Sequence, residues 1–184
     1  MGTLPSWFDR PFSVARRIVL CVTAIALSAG FFRGAISESL VVRGDTDLYR
    51  SNLRAAWAHY RRALYFDPSS AQAADRLLFV SGMSHDKKRI VAALRATSEA
   101  FGGSGSAKLY ADRALCWLVL RRYQAAYRDF RRAAMIDRSA LSFTFAGIAA
   151  RRIHQLADAR LLFRLALRKE PAYRPALVAL GAVR

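Results

Sequence analysis

At 184 residues the chain has room for one domain and an appendage, and 54% hydrophobic residues are enough to bury a core, which excludes a disordered chain. Its 30 Lys and Arg against 13 Asp and Glu give a net charge of +17, and only Lys87, Lys88, Lys108 and Lys169 of those thirty are lysines. Two cysteines exclude a disulfide framework, and His59, His85 and His154 lie on separate segments, which argues against a shared metal site.

The first element is an uncharged run from Ile18 to Phe32, closed by Arg16 and Arg17 on one side and Arg33 on the other. With Phe12, Val14, Ala15, Ala35 and Ile36 added and the arginines snorkelling outward, a helix here reaches about 20 residues, enough to cross a bilayer. Two other readings stay open. The length also suits the apolar part of a cleaved signal, with Ser28, Ala29 and Gly30 offering small residues for a peptidase, and a buried soluble helix is the third. On the first reading residues 1–35 are a single-pass membrane anchor, a transmembrane or signal-anchor helix. The paired Arg at its boundary then places the N-terminus in the cytoplasm and residues 36–184 on the outer or periplasmic side. No other stretch is expected to span a membrane.

Asp45, Thr46 and Asp47 read as a helix start, with the helix running to about Phe66 and Asp67-Pro68-Ser69-Ser70 turning the chain. Further helices are expected at 70–82, 86–100, 106–120, 122–136, 139–152, 155–169 and 173–183. The one long break, Gly102-Gly103-Ser104-Gly105-Ser106, is either a hinge or a roomy turn between repeats.

Across these helices one sparse pattern recurs: a small residue, an aromatic four later, Ala three after that and a chain break five beyond. The copies are Ala56, Tyr60, Ala63, Pro68; Ala126, Phe130, Ala133, Arg138; and Ala159, Phe163, Ala166, Pro171. The last two copies stand 33 residues apart and the first two 70, so a weaker copy belongs between them, and Leu78, Ile90, Leu94 and Thr97 supply it without the expected Ala. Residues four and seven apart share one helix face, where Ala admits a neighbouring helix and the aromatic fills the gap. Twelve residues upstream, Gly44, Ala114 and Gly147 provide the small partner on the preceding helix, and Gly181 opens a further copy.

A period of about 34 residues belongs to stacked helical hairpins, and over roughly residues 37–184 the chain resembles a tetratricopeptide repeat (TPR) protein. The resemblance implies an all-α fold, a right-handed solenoid of about four hairpins, some degenerate, plus a C-terminal helix. The residues show no nucleophile with its base, phosphate loop, metal cluster or paired acidic site, so no catalysis and no cofactor are expected. The resemblance also implies that partners are held in the groove lined by the first helix of each hairpin. Here that lining comprises Lys108, Asp112, Leu115, Val119, Leu141, Thr144, Phe145, Ile148, Arg151 and Arg152. The Lys/Asn/Arg set that clamps a C-terminal carboxylate in chaperone-binding members is not matched.

Arg61 with Arg62, Arg121 with Arg122, Arg131 with Arg132, and Arg151 with Arg152 read either as a solvated face or as an anion-facing surface. Asp129 and Asp137 are expected on a surface helix or at its end, and Asp158 at a helix start. Two functions fit this inventory. One is a membrane-anchored protein-interaction module, a scaffold or accessory subunit whose basic repeats bind proteins with acidic surfaces. The other is an exported or soluble binder of polyanions such as anionic glycan, lipid head groups or RNA, although no RNA-binding signature, zinc module or basic zipper is present.

Overall fold

A computed structural model describes residues 14–101 and 105–183, and within the first helix it describes side chains at Val19, Val22, Thr23 and from Gly30 onward. The described residues form α1 Val14–Tyr49, α2 Leu53–Phe66, α3 Ala71–Ser84, α4 Lys87–Ala96, a short 3₁₀ turn Glu99–Phe101, α5 Ala107–Val119, α6 Tyr123–Asp137, α7 Ala140–Arg152, α8 Leu156–Lys169 and α9 Arg174–Gly181. Four hairpins result, α1/α2, α3/α4, α5/α6 and α7/α8, with α9 packed on α8 and α7.

One expected boundary is overturned. Asp45, Thr46 and Asp47 do not start a helix; they occupy the last turns of α1, and the chain reverses at Ser51, whose φ is 60°. The acids there have other partners than a helix terminus: Asp45 accepts from the Tyr60 hydroxyl at 2.7 Å and Asp47 sits 2.9 Å from His59 Nδ1. The cap is Asn52, whose side chain accepts from Ala55 N–H. The segment Ser37–Tyr49 is therefore the first helix of the first hairpin.

The repeated small residues do the packing their spacing implies. A Cβ on Gly44 would stand 2.5 Å from the Tyr60 ring and one on Gly147 2.5 Å from the Phe163 ring, so each glycine lets the second helix lay its aromatic against the first helix's backbone. Ala114, Ala126, Phe130, Ala133, Ala159 and Ala166 are buried alongside. In the degenerate copy Leu78 and Ile90 are fully buried, and Thr97 occupies the Ala position by turning its hydroxyl onto the Ala93 carbonyl at 2.9 Å. Gly181 meets nothing within 4 Å, since among the described residues no second helix follows it.

Helix ends follow two rules. Asp67-Pro68 and Pro171 close α2 and α8, whereas α6, lacking the Pro, stops at Arg138 in the left-handed region, φ 51°. Each hairpin also turns on a left-handed non-glycine residue: Ser51, His85, Arg121 and His154. Two large core clusters are joined by α5, which presents Leu109 and Cys116 to α1–α4 and Ala114 to α6–α9, and a small third one gathers Ala140, Ala166 and Ala176 from α7, α8 and α9. Across the glycine-rich break, whose residues 102–104 lie outside the described set, α5 is tied directly to α3 by the Cys116 thiol on the Leu78 carbonyl, 3.3 Å. Burial pushes that thiol up to about 12.

Candidate functional site

Among the first helices α3 packs on both α1 and α5, while α7 meets the preceding hairpin through the second helix α6. The inner face of α3 and α5 carries a cavity of about 340 Å³, walled by Phe79, Gly82 and Met83 from one helix and Leu115 and Val119 from the other. Phe79, Met83 and Leu115 are 37%, 49% and 36% exposed, large apolar side chains turned to solvent at the mouth.

Asp112 lies beside this apolar wall. Lys108 donates to both Asp75 oxygens at 2.7 Å and to Asp112 at 2.8 Å, so one ammonium bridges two carboxylates on neighbouring repeats. Burial raises the Asp112 carboxyl to about 7, a hydrogen bond with the Asp75 carboxyl adds to the rise, and Lys108 opposes it. Burial works against the Lys108 ammonium, but its bonds to Asp112 and Asp75 prevail and raise it. Because the folded state holds the Asp112 proton above the usual carboxylate value of 3.8, this group's contribution is complete below that value and is lost as pH rises through about 7. Asp112→Asn should therefore melt progressively higher relative to the wild type between pH 4 and pH 7. A melting difference that stays flat over that window would show that the carboxyl is ionised throughout.

The expected lining residues divide in two. Lys108, Asp112, Leu115 and Val119 come together at this cavity. Of the α7 residues, Leu141 is exposed, but Thr144 is buried with its hydroxyl on the Ala140 carbonyl at 2.7 Å. Phe145 is half-buried and stacks on Phe130 of α6, centroids 5.4 Å apart and planes 14° from parallel, so its ring packs between hairpins. Ile148 is half-buried against the second core cluster, Arg151 is half-buried, and the Arg152 guanidinium lies 6.0 Å from the Tyr123 ring. Sequence reasoning passed over Asp75, Phe79 and Met83 because their repeat lacks the signature Ala. A signal existed: Phe79 and Met83 share the four-residue spacing of Leu115 and Val119 and precede them by 36 residues.

Asp129 is not on the surface as expected. It is 4% exposed and accepts from Arg113 Nε and Nη2, each at 2.7 Å, and from Trp117 Nε1 at 3.1 Å. The Arg113 guanidinium in turn lies 3.7 Å from the Phe101 ring centroid, so this pair clamps the 3₁₀ turn, α5 and α6. Asp137 ends α6 and accepts from Ser139 and Ser142, and Asp158, in the first turn of α8, accepts from the Tyr127 hydroxyl. Among the described residues no group of three or more His, Cys, Asp or Glu could hold a metal ion.

No family model matches the chain, and neither does any curated protein. Solved structures define the fold class: helical-hairpin solenoids of the TPR type. A crystal structure of MamA protein superposes with a TM-score of 0.71 at 16% identity, covering 82% of this chain and 81% of that one. YrrB, described as a TPR protein with an unusual peptide-binding site, gives a TM-score of 0.62 at 19% identity over 78% of this chain and 74% of that one. PilF of Pseudomonas aeruginosa gives 0.66 at 21% identity over 82% and 68%. At these identities the likeness is one of fold.

Proposed function

We propose that the chain is a membrane-anchored protein-interaction module, without catalytic activity, that seats a segment of a partner protein along its inner face. The observation that carries this reading is the α3–α5 cavity, an open apolar recess beside a bridged and partly neutralised carboxylate pair. An apolar side chain of the partner fills the recess, and polar groups of its backbone meet Lys108, Asp75 and Asp112. YrrB, a TPR protein described as having an unusual peptide-binding site, is consistent with this use of the scaffold.

The anchor belongs to α1. Among the described residues no helix is long and apolar enough to cross a membrane, and most side chains of Ile18–Phe32 lie outside that set. Support comes from the uncharged sequence of that run and from the exposure of Phe31 and Phe32, 76% and 65%, on a helix that has left the solenoid. With the N-terminus kept in the cytoplasm, the repeats stand on the outer side of the membrane, where they act as a scaffold or accessory subunit.

A second reading has its own observation. Arg61, Arg62, Arg131 and Arg132 are exposed on the outer second helices, away from the cavity, a surface that suits an acidic partner or a polyanion. Affinity capture from detergent-solubilised membranes with mass spectrometry separates the two. Met83→Asp with Leu115→Asp should abolish capture of the partner, while Arg61→Glu with Arg62→Glu slows it and reduces its salt sensitivity. Equal loss from both pairs would favour the polyanion reading, and capture untouched by Met83→Asp with Leu115→Asp would remove the cavity from the mechanism.

A further inference from the structure

We propose that the solenoid sits end-on against an anionic membrane surface, touching it through Tyr65, Met135, Ile136 and Arg138. The proposal rests on the reading of α1 as an anchor and adds to it the face that meets the lipid.

The first step is rigidity. From Val14 to Tyr49 α1 is one helix; among its described side chains Val19, Val22, Phe31, Phe32 and Ile36 are exposed, and Ser37 is the first buried one. No linker separates the apolar run from the first hairpin, and at 1.5 Å per residue Phe32 lies roughly 8 Å along the axis from Ser37. Whatever holds the run therefore holds one end of the solenoid close to it.

The second step is which end. Tyr60 bonds Asp45 and His59 bonds Asp47, an antiparallel register that, continued, brings the last turn of α2 level with the point where α1 leaves the solenoid. Trp57 near the start of α2 bonds Ser81 near the end of α3, so α3 runs back along α2 and in the sense of α1. Lys108 on Asp75 and Cys116 on Leu78 set α5 in the same sense as α3, and α6, bonded through Asp129 to Arg113, reverses in the α5/α6 hairpin. The ends of α2 and α6 thus share the exit end of α1. There Tyr65, Met135 and Ile136 are 78%, 66% and 53% exposed, and Arg138 is exposed on the turn just after Asp137, whose carboxylate accepts from Ser139 and Ser142. Exposed apolar tips beside arginine are what a lipid interface takes: the tips enter the headgroup region and the guanidinium meets anionic heads. Tyr49 and Leu156 are also exposed but lie at the opposite end, so exposure alone does not choose between the ends. The exit of α1 does.

The full-length protein is reconstituted in zwitterionic vesicles, with and without anionic phosphatidylglycerol, carrying lipids brominated near the head of the acyl chain. Tryptophan is introduced by Ile136→Trp or Leu156→Trp over the background of Trp7, Trp57 and Trp117. The expected result is salt-resistant association, loss of the emission added by Ile136→Trp in anionic vesicles, and no loss for Leu156→Trp. Salt-resistant association with neither position quenched would keep the anchor and overturn the end-on seat. Equal quenching at both positions would overturn it too. Quenching of Ile136→Trp in a protein that salt releases would keep the seat and overturn the anchor, and no association at all would overturn both. Shielding of Ile136→Trp from acrylamide without quenching by brominated lipid would assign this end to a protein contact and overturn the lipid seat.

Discussion

Asp129→Ala should cost about 3–5 kcal/mol of unfolding free energy, the loss typical of removing one partner from a buried ion pair. The carboxylate accepts from both arms of the Arg113 fork and also takes the Trp117 indole N–H. Its removal strands a guanidinium whose side chain is only 19% exposed, pressed on Phe101. The comparison is Asp86→Ala, which breaks the half-exposed Arg89–Asp86 pair and a helix cap, about 1 kcal/mol in sum. Urea denaturation followed by circular dichroism measures both. A loss below 1 kcal/mol for Asp129→Ala would mean that water reaches the pair. Replacing both charges, Arg113→Met with Asp129→Leu, should hurt less than Asp129→Ala alone, because no buried charge is then left unpaired.

That pair also marks the limit of what sequence could reveal. Arg113 and Asp129 are separated by 16 residues on two helices, and a helical period assigns both to polar positions. Only the approach of α5 and α6, with Phe101 arriving from the preceding 3₁₀ turn, closes them off from water. The repeat itself was legible because a stripe of Ala56, Tyr60 and Ala63 has one cause, close helix approach, that acts locally and recurs. The boundary at Asp45–Asp47 was misread for the opposite reason. Acids before an apolar stretch ordinarily signal a cap, and their actual partners, Tyr60 and His59, come from the next helix. Half of the cavity went unseen because Phe79 and Met83 sit in the repeat that lacks its Ala, although Leu115 and Val119 had the same spacing.

Phe163→Ala is expected to cost about 3–5 kcal/mol, the usual loss for emptying a large aromatic site in a core. Phe163 is fully buried and its ring edge occupies the space that the missing Cβ of Gly147 leaves, with that Cβ calculated to fall 2.5 Å from the ring. Gly147→Ala therefore overpacks the same contact, at about 1–3 kcal/mol, even though Ala is the better helix former by about 1 kcal/mol. If ring and glycine are two halves of one contact, their effects cannot add. With the ring gone, the extra methyl of Gly147→Ala enters the vacated space and regains its helix propensity, so the double variant should be no less stable than Phe163→Ala alone. Strict additivity of the two losses in a denaturation cycle would show that Phe163 and Gly147 act separately, and would remove the packing logic behind the repeat's small residue and aromatic. Gly44 with Tyr60 offers the same cycle in the first hairpin, where the ring hydroxyl also bonds Asp45. Tyr60→Phe should there keep the packing and lose only the hydrogen bond, at about 0.5–1.5 kcal/mol. A larger loss would place the weight of that hairpin on the buried polar contact, not on the ring.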